Sequence, residues 1–125
     1  MVDLVLVGLI ELAVGALLGW AVSAQHVIPD VLKKLGIRHP RRILQAHIDY
    51  IIMGVILIAV GLAVPTLSTW VAVVLVIGTI VNPALFFPLA FRATAEKTWT
   101  YRVISTASFT CVSVSLVAAV LQYGA

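Results

Sequence analysis

Residues 39–54 read HPRRILQAHIDYIIMG, and one imidazole, His47, and one carboxylate, Asp49, stand inside a segment that turns continuously apolar once its basic start ends at Arg42. A helix turns about 100° per residue, so seven residues return nearly to the starting face. His47, Gly54 and Gly61 therefore share one stripe, with Tyr50 and Ile51 beside it. Two glycines on the histidine's own face leave room for a bulky group or for a closely packed helix. The imidazole itself has two readings, a hydrogen bond to another helix or a bond to a metal. His47 lies roughly 9 Å into the segment at about 1.5 Å per residue, below Arg38, Arg41 and Arg42. A flat haem fits that depth, with its iron on a neutral imidazole and its propionates rising to the arginines. His47 is thus the candidate metal ligand, and Arg38, Arg41, Arg42, Tyr50 and Gly54 are candidate cofactor contacts.

Other polar residues fall inside apolar runs. Arg42, Gln45 and Asp49 point to nearly the opposite side of their helix from His47. Asp49 is costly at that depth unless paired or protonated, and Arg42, Gln45 or Tyr101 is the expected partner. Glu11 lies deeper, with Gly8, Gly15 and Gly19 on its side of the first helix, which sets it against another helix rather than lipid. Gly78, Asn82 and Leu85 line one face of the third helix. Pro83 beside them cannot donate to the Thr79 carbonyl, so a kink and a freed acceptor are expected next to the Asn82 amide. Asn82 makes an interhelical hydrogen bond or faces a ligand held by His47. The hydroxyl residues from Ser105 to Ser115 suit tight helix packing. Cys111, the only cysteine, has no basic neighbour to activate it.

The elements that position these groups are membrane spans. Of 125 residues, 62% are hydrophobic and 10% charged, more apolar surface than a soluble domain of this size can hide. Runs with almost no charge cover 4–23, 43–64, 69–91 and 103–121, each near the roughly 20 residues that cross a hydrocarbon core. The expectation is one domain over residues 1–125, all-α, an integral membrane bundle of four helices running up and down. All eight Lys and Arg residues lie in two places, between spans one and two and between spans three and four. The positive-inside rule makes those loops cytoplasmic and puts both termini outside a cell membrane. The net charge of +3 then reports topology, and nucleic-acid binding is not expected. Pro29-Asp30 followed by VLKKLGI suggests a short amphipathic helix on the membrane face. A bundle this small buries its polar groups better by associating, so a homo-oligomer in the lipid bilayer is expected. No nucleotide loop, CxxC, HExxH or GxSxG pattern occurs, and His26, His39 and His47 form no helical pair for a closed zinc site.

The stretch QAHIDYIIMGVILIAVGLAVP resembles the second span of the styrene oxide isomerases, in which an Ala-His pair is followed by glycine seven residues after the histidine; here these are Ala46, His47 and Gly54. VIGTIVNPALFFPLAF resembles their third span, centred on Asn82, and the similarity covers roughly half the chain. It implies a homotrimer with haem b between protomers, His47 as axial ligand and a ferric Lewis acid that rearranges an epoxide, with Asn82 orienting the oxygen. The family's asparagine before that glycine is Met53 here. Its aspartate four residues before Asn82 is Gly78 and its tyrosine four residues after is Phe86, so styrene oxide should turn over slowly or not at all. Two further classes stay open: a noncatalytic haem protein for gas binding or electron transfer, and a haem-free transporter or assembly subunit built around Glu11 and Asp49. A small apolar ligand suits the first two of these three readings.

Overall fold

The computed structural model describes residues 2–124; Met1 and Ala125, the ends of the expected domain, lie outside the described residues. Four long helices and two short ones account for most of the chain: α1 (Leu4–Val27), α2 (Pro29–Lys34), α3 (Arg41–Ala63), α4 (Thr69–Ala84), α5 (Phe86–Phe91) and α6 (Trp99–Gln122), with a 3-10 turn at Ala93–Lys97. The fold is the all-α four-helix bundle that the hydropathy pattern requires. Leu4–Val27, Arg41–Ala63, Thr69–Phe91 and Trp99–Gln122 are each long and apolar enough to cross a membrane. Leu17, Trp20 and Val120 are 67%, 77% and 74% exposed, an apolar exposure that suits lipid better than water.

Helix boundaries follow caps rather than hydropathy. Asp3 accepts from the Leu6 amide at 3.0 Å to start α1, and Thr98 accepts from the Tyr101 amide at 3.2 Å to start α6 four residues earlier than the apolar run suggests. The expected disturbance in the third span is a break at Leu85, between α4 and α5. Leu85 keeps near-helical angles of −66° and −16°, so α5 continues the span. Pro83 and Pro88 remove the amides that would bond the carbonyls of Thr79 and Ala84. The Tyr101 hydroxyl from α6 donates to the Leu85 carbonyl at 3.1 Å, inside this weakened stretch.

Two glycine seams join the helices in pairs. Along α1 and α3, a Cβ on Gly8 would stand 2.7 Å from the Gly54 carbonyl oxygen, and a Cβ on Gly54 equally close to that of Gly8. Gly61 faces Leu4 and Val5, and Gly15 faces Ile51. Along α4 and α6, a Cβ on Gly78 would meet Val112 Cγ2 at 2.6 Å and the Ser108 carbonyl at 3.1 Å. The pairs meet chiefly through α3 and α4. The apolar core, with Leu57, Val71 and Leu75 fully buried among Leu4, Val64, Leu67 and Ala119, fills the end of the bundle that holds the termini and the Pro65–Ser68 turn. Gln122 Oε1 accepts from the Ser68 amide at 2.9 Å at that end. All eight Lys and Arg residues gather at the other end, where Arg42 reaches Glu96 at 3.8 Å.

Candidate functional site

His47 sits on the α1–α3 seam. Its Nδ1 is hydrogen-bonded to the Gly15 carbonyl of α1. Gly19, one helical turn further, makes a cradle for the ring: a Cβ there would stand 3.2 Å from His47 Cε1. A carbonyl accepts only, so the proton of a neutral imidazole is held on Nδ1 and the Nε2 lone pair is left free. This is the tautomer that a metal-ligating histidine needs, set by a second interaction of the kind that orients such ligands. Among the described residues no group of three or more His, Cys, Asp or Glu forms, so a bare ion would find fewer than three such ligands. A porphyrin brings four nitrogens of its own and needs only the fifth.

The two glycines on the histidine's stripe make room for a helix. Gly54 and Gly61 are covered by α1, and His47 occupies the seam where α1 and α3 approach. Above it, Arg38, Arg41 and Arg42 line a cavity of about 470 Å³ together with Gln25 of α1, His39 and Gln45. Arg41 and Gln25 are each six residues from His47 and Gly19, or about 9 Å along their helices. Arg38 is anchored by its amide, which shares the Ala90 carbonyl with the His39 amide, both at 2.9 Å. Tyr50 turns inward and is buried: its hydroxyl donates to the Ile80 carbonyl at 3.1 Å, and its ring packs 6.5 Å from that of Phe87.

Asn82 belongs to the other seam. Its Oδ1 accepts from the Ser108 hydroxyl of α6 at 3.2 Å, which leaves its NH₂ group as a donor. Gly78, Asn82 and Leu85 form one face, as their spacing implies, and that face is laid against α6. His47 and Asn82 are therefore bonded to different helices. Asp49 finds none of its expected partners: Arg42 donates to Gln45 at 3.0 Å and lies against Glu96, while Tyr101 is spent on Leu85.

Glu11 is only 3% exposed, against neighbouring helices as its glycine face requires. The Thr79 hydroxyl donates to Glu11 Oε2 at 2.9 Å and also lies 3.0 Å from the Val76 carbonyl; Glu11 Oε1 is buried with no partner. The Glu11–Thr79 contact spans α1 and α4. Sequence reasoning missed it, because nothing local distinguishes Thr79 from the other hydroxyl residues of the spans. In comparisons with known proteins, no family model, curated protein or solved structure matches the chain.

Proposed function

We propose that this multi-pass membrane protein binds haem b through His47 Nε2. The observation that carries the reading is the Nδ1 bond to Gly15, which holds the imidazole in a ligating tautomer beside a glycine cradle. The cavity lined by Arg38, Arg41 and Arg42 supplies cationic partners for the propionates, about 9 Å along the same seam. Tyr50 and Gly54 support the site indirectly, Tyr50 by tying α3 to α4 and Gly54 by admitting α1. Haem bound there would supply a Lewis-acidic iron for a small apolar epoxide or another oxygen-bearing ligand. Asn82 suits the task of orienting such an oxygen with its free NH₂ group. Its place on the α4–α6 seam favours contribution from a second copy in a homo-oligomer, for which a trimer is the arrangement proposed. The eight cations at one end orient that end to the cytoplasm of a cell membrane.

Purification followed by a visible spectrum tests the reading. A Soret band is expected from the native chain, lost in His47→Ala while circular dichroism and membrane insertion persist. A His47→Ala variant with a full haem complement would sink it. A second reading rests on the orphaned Glu11 oxygen: a haem-free transporter or assembly subunit, for which the native spectrum would be blank.

A further inference from the structure

The connection between α1 and α3 holds a second cavity, of about 420 Å³, walled by Pro29, Leu32 and Ile37 and edged by Lys33 and Arg38. Its frame is fixed by short bonds. The Ile37 amide donates to the Leu32 carbonyl at 3.0 Å and the Gly36 amide to Lys33 at 3.0 Å. Gly36 turns the chain at a φ of +87°, where a side chain would be strained. The Arg38 and His39 amides on Ala90 then clamp the connection to α5.

Its charge is unbalanced. Among the described residues the only salt bridge is Arg42–Glu96, so Lys33 and Arg38 have no carboxylate partner. Around the cavity, Val27, Ile28, Val31 and Leu35 are exposed along and beside α2. They lie where α1 ends, at the depth at which hydrocarbon gives way to headgroups. A cationic rim beside apolar walls at that depth matches a molecule with one phosphate and an apolar body.

We infer that this cavity binds an anionic phospholipid, its phosphate between Lys33 and Arg38 and its glycerol and upper acyl carbons against Leu32 and Ile37. Each interfacial cation contributes to such binding, so losing one should weaken it about fivefold. The site adjoins the propionate cavity, sharing Gln25, Arg38 and Pro40 with it, whereas Lys33, Leu32 and Ile37 line this cavity alone and have no part in the haem reading.

Detergent-purified full-length protein is titrated with phosphatidylglycerol or phosphatidylcholine of identical acyl chains, and retained lipid is counted by native mass spectrometry. One phosphatidylglycerol per chain should be held in preference to phosphatidylcholine. Lys33→Ala should lower its retention about fivefold, Lys34→Ala on the neighbouring position much less. Ile37→Trp, which fills the cavity and keeps every charge, should abolish it. Equal retention of the two lipids, an equal loss in Lys34→Ala, or displacement of the lipid by inorganic phosphate would each overturn the inference. Haem absorbance of Lys33→Ala, read in parallel, should match the native chain's; a blank native spectrum would refute the haem reading and leave the lipid count standing.

Discussion

Gly54→Ala probes the α1–α3 seam at its tightest point. The added carbon would stand 2.7 Å from the Gly8 carbonyl oxygen, 2.9 Å from Leu12 Cγ and 3.0 Å from the Leu12 amide nitrogen. Two of these atoms are backbone of a paired helix, so no rotamer change relieves the clash. Carbon atoms settle at about 3.5–4.0 Å, so α1 must retreat by roughly 0.5–1 Å, which forfeits a quarter to a half of the dispersion energy of each contact it opens. Overpacking of this kind costs about 1–3 kcal/mol. His47 lies seven residues along α3, about 10 Å from the wedge, and its bond to Gly15 crosses the same gap. Gly54→Ala should therefore lose both stability, measured by unfolding in mixed micelles of mild detergent and dodecyl sulfate, and haem retention, measured at the Soret maximum. Gly61→Ala is the milder comparison: its new carbon would meet Val5 Cγ2 at 3.0 Å, Leu4 Cβ at 3.1 Å and the Val5 amide nitrogen at 3.3 Å, each looser than the 2.7 Å approach at Gly54, and it should cost less. A Gly54→Ala protein as stable as the native chain, or a Gly61→Ala protein damaged as badly, would refute the close-helix account of the stripe.

Gly19→Ala places its carbon 3.2 Å from His47 Cε1, and its three nearest neighbours are all atoms of the imidazole ring; the Soret maximum should shift or haem retention fall, with stability changed by less than about 1 kcal/mol, as micellar unfolding would show. Glu11→Gln keeps an acceptor for Thr79 with a neutral amide and should unfold no earlier than the native chain, whereas Glu11→Ala should lose about 2 kcal/mol through the cavity it leaves, the Thr79 hydroxyl falling back on the Val76 carbonyl. In intact cells, an introduced Val2→Cys should react with an impermeant maleimide and a cysteine at Lys34 should not; the reverse pattern would invert the assigned topology.

The sequence was legible where the physics is local or one-dimensional. Spans follow from hydropathy because lipid penalises every exposed polar group, and the Pro83 and Pro88 region disturbs its helix because a missing amide is a property of the residue itself. Gathering of eight cations at one end was equally plain, since antiparallel connections alternate sides. The glycine stripe announced that something approaches α3 closely, but spacing on one helix carries no information about its neighbour. Only the inter-helix register shows that α1 fills it. The same limit explains Asp49 and Glu11. From α3 alone, Arg42 looked like a partner for Asp49, yet Gln45 lies one turn away and Glu96 arrives from the connection before α6, and together they claim the guanidinium. Thr79 meets Glu11 across 68 residues of chain. A register shift of one residue would turn either group through about 100° and break the pair. His47 lies between these cases: its type and depth mark it as a candidate ligand, while the feature that favours ligation, a carbonyl acceptor on Nδ1, is supplied by the other helix of the seam. Substitutions in the α1 partner of that seam, above all at Gly19, therefore test the haem reading as directly as substitutions of the histidine itself.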